Sequence, residues 1–177
     1  MSDAPSPWIQ RFLPLVAAGG TALDLACGRG RHTELLAQRG LRVTAVDRDG
    51  VALAAVAARV PGAELLAADL EGGPWPFAAR RFDAIVVANY LHRPLLPVLI
   101  DSLSLGGVLI YETFMVGNAR FGKPSSPQFL LRRDELLDVV RGTLSVVAFE
   151  QGEVATPRPA VVQRLCAIRG EPALLPT

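Results

Sequence analysis

Short apolar runs and helically spaced segments take turns along this chain. The runs lie at 21–27, 42–46, 63–68, 82–88, 108–114, 143–149 and 160–169, each of a length that suits a strand. Helical spacing of apolar residues marks 30–39, 49–59, 93–103 and 133–141. An earlier segment, 7–18, places Trp8, Phe12 and Leu15 on one helical face before Gly19-Gly20 stops it. Residues 71–80 break the rhythm: Glu71-Gly72-Gly73-Pro74-Trp75-Pro76 is too rich in glycine and proline for a crossover helix, so a loop is expected. Run 82–88 is apolar throughout after Asp83, as a strand covered on both faces should be. The last two runs are joined by too few residues for a crossover, so they should pair antiparallel.

Composition narrows the choices without adding chemistry. With 177 residues, half of them hydrophobic, the chain can bury a sizeable core as a single domain spanning 1–177. A net charge of +1 makes no global case for nucleic acid or a membrane surface as partner. Cys27 and Cys166 form no CxxC or Cys/His cluster, so neither a disulfide framework nor a metal site is expected. Met1-Ser2-Asp3-Ala4-Pro5 lacks the basic-then-apolar order of a signal peptide, and no apolar run has the length of a membrane span. A cytoplasmic location is the resulting expectation.

Candidate chemistry is concentrated in Leu23-Asp24-Leu25-Ala26-Cys27-Gly28-Arg29-Gly30-Arg31-His32. An apolar run carrying an acid leads into two glycines at alternate positions, and a helical pattern begins at once. Glycines there let a ligand lie against the main chain at the carboxyl edge of a parallel strand. The second strand ends at Asp47, close to where a carboxylate gripping ribose hydroxyls belongs, and Asp69 ends the third in the same way. Together these acids point to a nucleoside-containing cofactor. A nicotinamide fingerprint would want glycine where Thr33 stands, and the terminal hairpin does not fit its repeats; a Gly-Lys-Ser/Thr phosphate loop is absent.

The turn at 24–30, the acids closing the second and third strands and the seven-strand order resemble a class I S-adenosylmethionine-dependent methyltransferase, from Trp8 to Arg169. Ala26 replaces the first glycine of that family's turn. Asp-Leu-Ala-Cys-Gly-Arg-Gly-Arg (24–31) and Leu130-Leu131-Arg132-Arg133-Asp134-Glu135-Leu136 are most similar to the small tellurite-resistance-type members. The resemblance implies an α/β fold, a three-layer doubly wound seven-stranded sheet, mostly parallel with the last strand antiparallel. It also implies S-adenosyl-L-methionine as cofactor, and methyl transfer by in-line displacement to a small-molecule or small oxyanion acceptor.

It further implies site roles. Ala26, Gly28 and Gly30 would close on the methionine portion, with Asp24 either orienting the turn or meeting the amino group, directly or through water. Asp47 would accept from the ribose hydroxyls, unless it only caps the following helix. Asp69 would accept from the adenine amino group beside Leu70, and Asn89 would lie near the amino-acid end. Trp8 fits either the core or a lid formed by the helix in 1–18. His92 is the candidate general base, with a packing role as its alternative. His32, in the first turn of the helix over 30–39, fits a solvated helix position, with cofactor contact as its alternative. Tyr90, His92, Arg93, Phe114, Met115, Arg120 and Phe121 are the expected acceptor pocket, covered by loop 115–128. Two other readings stay open: a cofactor-binding regulatory module without turnover, and a nicotinamide-dependent oxidoreductase. A monomer or a homodimer is expected.

Overall fold

The computed structural model describes residues 4–171. Among them, seven strands form one sheet: β1 (Thr21–Leu25), β2 (Arg42–Asp47), β3 (Glu64–Ala67), β4 (Phe82–Ala88), β5 (Leu103–Phe114), β6 (Ser145–Val154) and β7 (Ala160–Ile168). Their order is β3-β2-β1-β4-β5-β7-β6. The first five pair in parallel, and β7 runs antiparallel to both β5 and β6. Helices α1 (Pro7–Phe12), α2 (Arg31–Gln38), α3 (Gly50–Arg59), α4 (Leu95–Asp101) and α5 (Glu135–Val140) pack on the sheet. Strand order reverses between β1 and β4, and open α/β sheets form their ligand crevice at the carboxyl edge of such a switch.

Alternation along the central strands sorts two cores. Ala22, Val43, Val86, Val108 and Ile110 meet Trp8, Ile9, Phe12 and Leu36 from α1 and α2. Leu23, Leu25, Ile85, Val87, Leu109 and Tyr111 meet Leu95, Leu99, Leu136 and Val140 from α4 and α5. Asp24 sits between Leu23 and Leu25 and so falls on the α2 side, which decides its hydrogen-bond partner below. Where a crossover helix is missing, Trp75 and Phe77 of the glycine- and proline-rich loop cover the sheet, Trp75 edge-to-face with Phe77 and Phe77 edge-to-face with Phe82.

Several element boundaries differ from the sequence reading. The first helix ends at Phe12 and tightens into a 3₁₀ turn over Leu13–Leu15, because Pro14 offers no amide to continue an α-helix. The fifth strand starts at Leu103, not 108: Gly106 and Gly107 form an irregularity within it rather than a turn before it. A Cβ on Gly107 would lie 2.8 Å from the Phe82 and Ser104 carbonyl oxygens, so the strand passes there only because the side chain is absent. The sixth strand runs on to Val154 through Glu150, Gln151 and Glu153. It is the sheet's edge, and polar residues there hide it from an apolar search.

Candidate active site

A cleft of about 960 Å³ opens at the carboxyl ends of β1, β2, β3 and β4, at the large end of the range for small-ligand sites. Asp24, Ala26, Gly28, Asp47, Asp69, Leu70, Asn89 and Tyr90 all line it. Two of them hold uncommon backbone for their type: Ala26 has φ 52° and Asn89 has φ 58°. Left-handed non-glycine residues cost free energy and gather at functional sites. These two turn the chain out of β1 and β4, and thereby shape the cleft floor.

The acids are wired differently. Asp24 is 2 % exposed and its Oδ2 accepts the Thr33 hydroxyl at 2.6 Å. Burial pushes its pKa up to about 7, against the downward pull of Thr33. Asp47 bridges two elements: Oδ2 accepts the Gly28 N–H at 2.7 Å and Oδ1 accepts the Asp49 N–H at 3.0 Å. Each carboxylate oxygen keeps a lone pair for a further donor. The residue capping α3 is Asp49, which accepts from Val51 and Ala52, so the capping role considered for Asp47 belongs to its neighbour. Asp69 is exposed, and the amides of Glu71 and Gly72 hold its carboxyl below the usual range.

The two glycines of the turn part company. Gly28 has φ +54°, and a Cβ there would meet nothing within 4 Å, so its bare face looks into the cleft. Gly30 does not line the cleft. With φ +76° it starts α2, and a Cβ would come within 2.6 Å of Val56 Cγ2. The missing side chain there permits the close approach of α2 to α3.

Other expected site residues also lie elsewhere. Trp8 is 3 % exposed, packs in the α1/α2 core and donates its indole N–H to the Leu165 carbonyl; it does not reach the cleft as a lid. His92 is half-buried, just ahead of α4, and off the cleft lining. Arg93 is consumed by structure: its guanidinium donates to both oxygens of buried Glu135 and to the Gln128 and Leu130 carbonyls. Phe114 is buried against Leu130, Ala160 and Val162, and Met115 joins the α4/α5 core. Arg120 pairs with Glu153 and stacks on the exposed Phe121. Of the expected acceptor pocket, Tyr90 alone reaches the cleft wall. Loop 115–128 is fastened instead to β7, through Asn118, whose Oδ1 accepts the Val161 N–H.

Several lining residues were not singled out as ligand contacts: Cys27, Arg29, Arg31, Arg48, Asp49, Val51, Ala52, Ala55, Arg59 and Glu71. Helical phase would have found some of them. The first turn of α3 (51, 52, 55) faces the same edge as Asp47, and Thr33 faces Asp24 from the first turn of α2. Cys27 is an unreactive thiol, since burial and then Asp24 and Asp47 push its pKa up. His32 is buried rather than solvated, and burial pulls its pKa down to about 3. Tyr90 is held neutral by burial, and its hydroxyl is left without a protein partner.

This donor set fits a nucleoside with a charged tail. Carboxylates at the ends of successive strands are acceptors for hydroxyl and amino groups, Val51, Ala52, Ala55 and Leu70 supply an apolar wall, and the Gly28 bend and the start of α2 are open to an anionic end.

Residues 22–103 match the family model described as a methyltransferase domain. The chain is 37% identical over 108 residues to trans-aconitate 2-methyltransferase of Paracidovorax citrulli, an overlap covering 56% of this chain and 40% of that protein. It thus spans about two fifths of the length of that curated relative. Among solved structures, it superposes on a TehB-like SAM-dependent methyltransferase from Corynebacterium glutamicum with TM-score 0.67 and 19% identity, covering 92% of this chain and 86% of that one. The N-methyltransferase NodS from Bradyrhizobium japonicum, in complex with S-adenosyl-L-homocysteine, gives TM-score 0.68 at 20% identity over 94% of this chain and 89% of that one. At those identities the likeness is one of fold.

Proposed function

We infer that this chain is a class I S-adenosylmethionine-dependent methyltransferase, a reading that the domain match and the fold support, and that it transfers a methyl group to a small-molecule or small oxyanion acceptor by in-line displacement. One observation carries the reading: Asp24, Asp47 and Asp69, from three successive strand ends, meet the bare Gly28 bend in a single cleft.

S-adenosylmethionine, when bound, supplies a methyl group on a sulfonium that is already a strong leaving group. The chain's task is therefore to bind, orient and exclude water, and positioning alone is worth roughly 7–11 kcal/mol. Asp47 accepts from the ribose hydroxyls and, through its bond to Gly28, fixes the glycine bend against the same ligand. Asp69 accepts from the adenine amino group, with Leu70 and the first turn of α3 as apolar walls. Asp24 gains a counter-charge when the ligand's ammonium arrives, and then sheds the proton that burial favours. Asn89 and Tyr90 border the amino-acid end at the close of β4.

The acceptor named for the curated relatives is trans-aconitate, so small carboxylic acids join tellurite and selenite as acceptors to test. The reading treats 1–177 as one catalytic domain, monomeric or homodimeric, in the cytoplasm; two buried, unpaired cysteines support that compartment.

Calorimetry with S-adenosylmethionine, S-adenosylhomocysteine and NAD, followed by an assay of S-adenosylhomocysteine release over these acids, oxyanions, thiols and phenols, tests the reading. Binding of both sulfur nucleosides and release with at least one acceptor is expected. Binding of NAD alone would sink it, and binding without release from any acceptor would favour a regulatory module.

A further inference from the structure

His32 is a buried group with a determined proton. It sits in the first turn of α2, 3 % exposed, and lines the cleft. Its Nε2 accepts the Ser6 backbone N–H at 3.1 Å. A backbone amide only donates, so Nε2 carries a lone pair, and a neutral ring must keep its hydrogen on Nδ1. The ring is neutral because burial, with the Arg31 charge beside it, opposes a second proton. Nδ1 has no partner among the described residues, yet it is not one of the fully buried unpaired polar atoms. It is the edge of the ring left open, and the cleft is what it opens on.

We propose that His32 is a cofactor-binding residue: with Ser6 holding the far side of the ring, its Nδ1–H donates to the carboxylate at the amino-acid end of S-adenosylmethionine. This rests on the function proposed above. The location suits an anion, since α2 is eight residues long and its free amides and dipole add to the same attraction. The groups around the ring agree. Arg31 is cationic but already donates to the Ala4 carbonyl, and Asp24 is turned to Thr33. An uncharged donor also leaves the neighbouring ammonium unopposed, as an imidazolium would not. His32 therefore makes the cleft discriminate the intact cofactor and its demethylated product from adenosine ligands that lack the amino-acid tail.

Two measurements test this. The first is ¹⁵N NMR of the wild-type imidazoles: His32 should show the Nδ1–H tautomer and no titration between pH 5 and 8. The second is calorimetry of S-adenosylhomocysteine and of 5′-methylthioadenosine, which lacks the tail, against wild type, His32→Phe and His32→Gln. His32→Phe should weaken the homocysteine ligand roughly tenfold to a hundredfold, as for a lost hydrogen bond to a charged group, and leave methylthioadenosine within about twofold. His32→Gln, which restores an N–H donor, should recover part of the loss. An Nε2–H tautomer, a titration near 6.5, or equal losses for both ligands overturns the assignment. If wild type binds neither ligand, the cofactor reading falls and His32 with it. If wild type binds and His32→Phe costs nothing, His32 alone falls. Should His32→Phe not fold, the tautomer measurement on wild type still decides.

Discussion

Asp24→Asn separates stability from function at one atom. Asp24 is almost wholly buried, and burial raises its pKa to about 7 in the folded chain, against 3.8 for an ordinary aspartate carboxyl. Between those pH values the native state keeps a proton that the unfolded chain has released. The stability tied to that proton is complete below about pH 4 and is lost as pH rises to 7, because stability falls wherever the native state binds more protons. Some three pH units at 1.36 kcal/mol each amount to roughly 4 kcal/mol. Asparagine has nearly the same shape, can still accept the Thr33 hydroxyl, and cannot ionise. Urea unfolding of both proteins at pH 4.5 and 8.5 should therefore give nearly equal stabilities in acid. At pH 8.5 the variant should be the more stable by up to about 4 kcal/mol. The same variant should bind S-adenosylmethionine more weakly, having no charge to offer its ammonium. Parallel stability–pH curves for the two proteins would refute the reasoning, since they would mean that Asp24 ionises in the folded state as freely as in the unfolded one.

Asp47→Ala removes the shared acceptor of the Gly28 amide and of the ribose, and calorimetry should show S-adenosylmethionine affinity falling by about tenfold or more; unchanged affinity would remove Asp47 from the site. Gly30→Ala combines left-handed strain with overlap onto Val56 and should cost roughly 2–5 kcal/mol in denaturant unfolding, whereas Gly28→Ala should cost about 1–2 kcal/mol but impair cofactor binding. Equal stabilities for the two variants would contradict their assigned surroundings. Arg93→Ala strands the Glu135 carboxylate, 4 % exposed, and should destabilise by about 3 kcal/mol, while Arg93→Lys recovers only part because a lysine cannot span two carbonyls and a carboxylate at once; thermal melts would show the order.

The cleft's acids were legible in the sequence because each lies within two residues of the carboxyl end of an apolar strand, and that end faces the ligand edge of the sheet. Asp24, Asp47 and Asp69 needed nothing beyond apolar runs and spacing. Arg93, Phe114 and Arg120 were misplaced because the same rule says where a strand ends but not which side of the edge the following loop folds to. Here Glu135, forty-two residues further on, takes Arg93, and Glu153 of the terminal hairpin takes Arg120. Such long-range pairing leaves no local trace. Gly30 looked like a ligand glycine because sequence shows that a Cβ is missing, not which neighbour required it. Helix lengths erred at Pro14, where a periodic apolar pattern outlasts the backbone that can follow it, and at the end of α4, where Leu103 already belongs to β5.

Every residue on the cleft wall falls between positions 24 and 90. The terminal hairpin and α5, by contrast, lie beyond β5 in the sheet or pack on its face, and contribute no residue to that wall. Donor recognition and mechanical support are thus written in separate stretches of chain. A chimaera that swaps the stretch after position 103 should keep its grip on the sulfur nucleoside, provided that the buried seams along β5 are matched. Retooling of substrate preference has its room there, without reopening the bargain struck around Asp24.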